Sequence, residues 1–166
     1  MDDAFTVLGI DPGLSVTGYG VVLSDSGCHE ALTFGTIRPS QRLSTEQKLK
    51  AIHEGLANVI ARWRPQQVAV EDFIVGHARA AVTIGEARAM ALLAAAQAGL
   101  PVYLYKPSEV KQSITSYGRG TKDQVARMVR VLLGVDRAPL PEDAADALAV
   151  ALCHCLRQQS RMGGLQ

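Results

Sequence analysis

Four acidic side chains stand where joint chemistry is possible. Asp11 follows the apolar run Leu8-Gly9-Ile10 and precedes a Pro12-Gly13 turn, and Glu71 closes Val68-Ala69-Val70. Asp143 and Asp146 lie three residues apart, in a run that continues Ala147-Leu148-Ala149-Val150. Residues at that spacing share one face of a helix. An acid in the surroundings of Asp146 is costly unless something positive meets it. Clustered carboxylates also repel one another, and burial favours their neutral forms. A divalent cation relieves both penalties. Mg²⁺ and Mn²⁺ are hard ions that take carboxylate oxygens. Two such ions ~3.5–4 Å apart can activate a water and stabilise the leaving oxygen of a phosphodiester. The chemistry indicated is metal-assisted hydrolysis with no covalent enzyme intermediate. Each acid has a plainer role when taken alone. Asp143 suits a helix N-terminus, Asp11 a turn, and Glu71, beside Asp72, an exposed strand end. Four acids at strand ends and on one helix face exceed what those separate roles account for.

The elements that must position them follow from pattern. Phe5 to Asp11 reads as a strand, Val16 to Leu23 as a second, and Cys28 to Ile37 as a third, with Ser26-Gly27 as a turn. Short links make the three an antiparallel meander. Gly18 and Gly20 inside the second strand indicate close backbone approach or a bulge. A long amphipathic helix opens on the capping-box pair Ser44 and Gln47 and ends before Pro65. Gln67 to Glu71 is a short buried strand, parallel to the first. Ala78 to Ala98 is helical and rich in alanine, fit for tight packing inside the domain or against a second subunit. Pro101 to Tyr105 is a fifth strand and Ser108 to Thr115 a short helix. Thr121 and Gln124 cap a helix to Leu133, and a last helix runs from Pro141 to about Gln158. The order βββαβαβααα predicts an α/β domain: a mixed five-stranded sheet flanked by helices on both faces. One domain is expected over residues 1–158, with a flexible tail over 159–166. Strands one and four as neighbours would bring Asp11 and Glu71 side by side.

Composition narrows the setting. The chain has 166 residues, 48% hydrophobic and 20% charged, enough for one real core. No apolar stretch is long enough to span a bilayer. Met1-Asp2-Asp3 carries acids where an export signal carries bases. Three cysteines, Cys28, Cys153 and Cys155, lack a framework spacing. A cytoplasmic protein with reduced thiols is expected. The net charge of +1 gives no general affinity for nucleic acid. Between Tyr103 and Arg137, however, seven basic residues face three acidic ones, a local excess of four. Such a patch can bind phosphates although the whole chain is near neutral. Gly118-Arg119-Gly120 suits a loop approaching a DNA backbone, with Arg119 as a contact. Cys153-His154-Cys155 reads as packing, because adjacent helix positions point apart.

These residues resemble a known family. Leu8-Gly9-Ile10-Asp11-Pro12-Gly13 with Thr17-Gly18-Tyr19-Gly20, then Val70-Glu71, then Val110-Lys111-Gln112 are similar to motifs of the RuvC family of bacterial Holliday-junction resolvases. So is Asp143-Ala144-Ala145-Asp146-Ala147-Leu148-Ala149, followed by His154. The ordered set runs from about Thr6 to His154. The resemblance implies an RNase H-like fold and a homodimer. It implies Mg²⁺-dependent, symmetric nicking of opposed strands at four-way junction DNA, in recombination and repair, alongside a branch-migration helicase complex. The family's metal-binding acids fall on Asp11, Glu71, Asp143 and Asp146, with two Mg²⁺ or Mn²⁺ ions per site. Its DNA-contacting lysines fall on Lys111 and Lys122. Asp11 would bridge or anchor both ions, Asp146 or Asp143 would orient the attacking water, and Lys111 or Lys122 would stabilise charge on the phosphate. Two sites in a dimer would match the junction's two-fold symmetry, with the alanine-rich helix as the contact.

One stretch departs from the pattern. The family's base-stacking phenylalanine falls three residues past the strand glutamate, whereas Phe73 follows Glu71 by two. Phe73 is the expected DNA contact, since a loop aromatic can stack on an unpaired base; Ile74 and a core role compete. Three other readings remain: a nuclease of the same fold processing structured RNA, an ATP-binding domain of the actin and sugar-kinase type, and a non-catalytic junction binder. The second normally takes two such domains, and the complete acid set weighs against the third.

Overall fold

The computed structural model describes residues 4–73, 76–115 and 120–163. Its elements follow the expected order: β1 (Phe5–Asp11), β2 (Thr17–Asp25), β3 (Cys28–Ile37), α1 (Thr45–Trp63), β4 (Gln67–Glu71), α2 (Ala78–Gln97), β5 (Val102–Tyr105), α3 (Pro107–Thr115), α4 (Lys122–Leu133) and α5 (Glu142–Gly163). The sheet has strand order β3-β2-β1-β4-β5. β1, β2 and β3 form an antiparallel meander, while β4 pairs parallel with β1 and β5 parallel with β4.

Local chemistry sets the boundaries. Ser26 and Gly27, with φ of 47° and 90°, carry the tight β2–β3 hairpin; positive φ at both central residues suits the twist of the flanking strands. Both capping boxes form. The Ser44 amide donates to Gln47 Oε1 at 3.0 Å, and the Thr121 amide donates to Gln124 Oε1 at 2.9 Å. Arg64 ends α1 in the left-handed region, where its amide reaches the Ile60 carbonyl at 2.8 Å.

Alternation along β1 divides the core. Leu8 and Ile10 face α1 and α2, packing with Val21, Ile52, Leu56, Val68 and Ala91. Val7 faces the other layer, where α5 carries Leu148 and Leu152 and is flanked by α3 and α4. Each fully buried Leu or Ile stabilises the fold by roughly 1.5–3 kcal/mol relative to exposure. Helices therefore cover both faces. The alanines of α2 pack within the chain: Ala87, Ala91, Ala94 and Ala95 are buried in the α1 layer.

One boundary differs from expectation. α5 continues to Gly163, so residues 159–163 are helical rather than a loose tail. Arg157, Gln158, Gln159, Ser160 and Arg161 include no helix breaker that would stop the helix near Gln158. Among the described residues, no helix is long and apolar enough to cross a membrane.

Candidate active site

The carboxylates meet because α5 lies almost in contact with the sheet backbone. Gly9 on β1 pairs with Gly20 on β2, and Asp11 pairs with Gly18, all on the α5 side. A Cβ at Gly9 would fall 2.1 Å from the Ala147 carbonyl oxygen, and one at Gly18 would fall 1.9 Å from that of Asp143. Only glycine leaves room for so close a crossing. The approach indicated by Gly18 and Gly20 is thus that of α5, and it delivers the first turn of that helix to the end of β1. The turn after Asp11 is fixed as well. The buried Thr17 hydroxyl donates to the Gly13 carbonyl at 2.7 Å and accepts from the Gly13 amide at 3.2 Å.

Glu71 arrives from β4. Ile10 is the partner of Val70 in the parallel ladder, so the two strand-end acids are adjacent. Their carboxyls hydrogen-bond to each other. The neighbouring Asp72 is accounted for separately, by an ion pair with Arg88 of α2. Asp11, Glu71 and Asp146 line a cleft of about 310 Å³ together with Phe73, Lys111 and Lys122. Asp143 sits on the flank of this cleft, 3.8 Å from Arg38. Lys122 reaches Asp146 at 3.3 Å and also pairs with Glu142. Phe73 is 46% exposed, as a ligand-contacting aromatic would be and a core residue would not. Arg119 and Ile74 lie outside the described residues.

The electrostatics are those of a negative cluster short of positive charge. Burial, then the Glu71 carboxyl, then the charges of Asp146 and Asp143 push the Asp11 carboxyl up to about 9. Burial also raises Glu71 and Asp146, although lysine charges oppose it: Lys122 and Lys111 at Glu71, and Lys122 at Asp146. The Lys122 ammonium is held above its ordinary value, chiefly by its bond to Glu142. Among the described residues, no three His, Cys, Asp or Glu side chains are arranged to hold a metal ion as they stand. The acids instead satisfy one another and their cationic neighbours. The donor set nonetheless fits a hard divalent ion: half-buried carboxyl oxygens and several like charges in one cleft, with the Asp11 carboxyl pushed upward for want of a cation.

His154 belongs to a different structure. It is fully buried, accepts from the Tyr105 hydroxyl at Nδ1 (2.7 Å) and donates from Nε2 to Gln67 Oε1 (2.5 Å). Burial pushes it down to about 4, so the ring is neutral and pins α5 to β4 and β5. Cys153 and Cys155 are buried beside it, as packing requires.

Residues 7–154 match the family model described as crossover junction endodeoxyribonuclease RuvC. The chain belongs to the RuvC family. It is 47% identical to the RuvC of Heliobacterium modesticaldum over 148 residues, 89% of this chain and 91% of that one. A solved structure of Thermus thermophilus RuvC in complex with a Holliday junction substrate superposes with a TM-score of 0.87 at 38% identity, covering 96% of each chain. The yeast mitochondrial Holliday junction resolvase Ydc2 shares the fold alone, with a TM-score of 0.67 at 13% identity over 95% of this chain and 82% of that one. The fold is the RNase H-like one expected. Within this RuvC-family site, sequence reasoning missed Arg38 and the reason for Gly9. Arg38 is a lone cation after a strand, with no motif to mark it. Gly9 gains its meaning only once α5 is laid across it.

Proposed function

We propose that the chain resolves Holliday junctions, nicking opposed strands at a four-way DNA junction by hydrolysis of one phosphodiester in each. The observation that carries this reading is the cleft that Asp11, Glu71 and Asp146 share with Lys111 and Lys122, in a chain so close to a RuvC solved with junction DNA. Asp11, Glu71, Asp143 and Asp146 are the residues that would hold two Mg²⁺ or Mn²⁺ ions, which supply charge neutralisation and an activated water. Asp11 and Glu71, fixed at strand ends, define the floor. Asp146 or Asp143 orients the attacking water from the first two turns of α5. Lys111 and Lys122 counter the charge that develops on the phosphate, and Lys122 also holds Asp146 in place. Phe73 stacks on an unpaired base at the mouth of the cleft, and Arg119 contacts the backbone.

The chain acts as a homodimer, so that two sites address two strands. The outer face of α2 supports this: Val82 is 58% and Leu93 44% exposed there, with Gly85 and Ala89 between them. It works in the cytoplasm, in keeping with its three free cysteines, and beside a branch-migration helicase complex, as the family resemblance implies. Incubation with a synthetic four-way junction, in Mg²⁺ and in chelator, tests the reading. Paired nicks on opposed strands in Mg²⁺ alone are expected. An intact junction, or preferential cutting of structured RNA, would refute it.

A further inference from the structure

The cations that line the cleft, Lys111 and Lys122, come from α3 and α4. A further cation stands outside that lining, at the end of β3. Thr36 on β3 pairs with Gly18, which pairs with Asp11, so the end of β3 lies level with the acids and two strands away, ~10 Å across the sheet. Arg38 extends just beyond that end. Its Nε donates to the Thr36 hydroxyl at 3.3 Å, and the following Pro39 is buried, which anchors the chain there. The side chain is 59% exposed, and its guanidinium stands 3.8 Å from Asp143. The loop it opens also carries Arg42 and has no acid before Glu46.

We infer that Arg38 binds the DNA phosphate backbone beside the acid cluster, outside the cleft that Lys111 and Lys122 line, exchanging its loose pairing with Asp143 for a phosphate when a strand lies across the site. The inference rests on the nuclease reading above. An ion pair at this distance and exposure is weak and screened by salt, so little opposes the exchange. Guanidinium is the cation best matched to phosphate, which it meets with two parallel hydrogen bonds. A cation outside the cleft adds to the two within it and lengthens the track along which a strand is held by its phosphates.

The full-length chain, its affinity for a labelled four-way junction followed by anisotropy in Ca²⁺ between 50 and 200 mM salt, gives the test. Arg38→Gln should weaken binding roughly tenfold at the lowest salt and reduce the log–log salt slope by about 1, whereas Arg38→Lys keeps the slope. A merely structural arginine would shift the melting temperature and leave the slope alone. The same comparison in an Asp143→Asn background separates direct contact from an effect passed through Asp143. Loss persisting there supports the phosphate contact. An unchanged slope, or a loss that disappears in that background, overturns it. Failure of the resolvase reading looks different: the wild-type chain would then show no preference for the junction over linear duplex, while the Arg38 slope would still be readable on either DNA.

Discussion

Adding one methyl group at Gly18 tests how the site is built. A Cβ there would stand 1.9 Å from the Asp143 carbonyl oxygen and 2.4 Å from its carbonyl carbon, where real contacts stay beyond 3.0 Å. The obstacle is backbone, so no rotamer change relieves it. The start of α5 must retreat by about 1 Å, carrying Asp143 in its first turn and Asp146 in its second away from Asp11 and Glu71. Overpacking of this kind costs ~1–3 kcal/mol. For a chain of this length that lowers the melting temperature by roughly 2–4 °C per kcal/mol, leaving the protein folded at 25 °C. Displacement of catalytic groups by ~1 Å costs on the order of 100-fold in rate. Gly18→Ala should therefore cut a synthetic junction about 100-fold more slowly, under single-turnover conditions in saturating Mg²⁺. Its affinity for the junction in Ca²⁺ should stay within a few-fold of wild type. Gly20→Ala is the matched comparison: its Cβ meets the buried Leu148 side chain, Cδ2 at 2.4 Å and Cγ at 2.7 Å, so a core side chain rather than the backbone of α5 must give way. Cleavage by Gly18→Ala within threefold of wild type, or equal losses in both variants, would refute the close-crossing argument.

Other expectations follow from the same geometry. Asp11 is raised to about 9, so between its ordinary value of 3.8 and that value the folded chain keeps a proton that the unfolded chain releases. Stability in chelator should then fall as pH rises through this window, and Asp11→Asn should flatten the melting curve against pH while abolishing cleavage and sparing junction binding. Lys111→Ala and Lys122→Ala should each slow cutting by about 10²–10³-fold with the fold intact by circular dichroism; normal rates in both would reduce the basic flank to decoration. Phe73→Ala should lose a stacking interaction worth ~1–3 kcal/mol, seen as weaker 2-aminopurine fluorescence change at the branch point, with an unmoved melting temperature. A large drop in melting temperature without a fluorescence effect would make it a core residue. Leu93→Glu should shift sedimentation from dimer to monomer; an unaltered profile would remove the outer face of α2 from the interface.

Much of this arrangement was legible in the sequence because its signals are local. Strand alternation, two capping boxes and the Ser26-Gly27 turn each act over a few residues, and together they give the element order and nearly all the boundaries. The acids could be singled out because Asp146 stands in an apolar helix face, where an unpaired charge is expensive. What stayed hidden is relational. Nothing in Leu8-Gly9-Ile10 says which helix will cross it. Nothing near Arg38 indicates that Asp143, more than a hundred residues later, will stand 3.8 Å away. The end of α5 is hidden for a different reason: between Pro141 and Gly163 there is no glycine or proline to mark a stop near Gln158.

The His154 staple and the glycine crossing hold α5 along its length, and two of the four acids ride on that same rod. The centre is thus mounted on framework elements, with no acid supplied by a pliant loop. A rigid tool of this kind leaves bending to whatever it works upon. Smoothly curving 20–30 base pairs of linear duplex by 40–90° costs roughly 1–6 kcal/mol, whereas a strand at a branch point has already surrendered part of its stacking. Stiffness in the protein is in that sense a discriminator, favouring polymers that yield over those that do not.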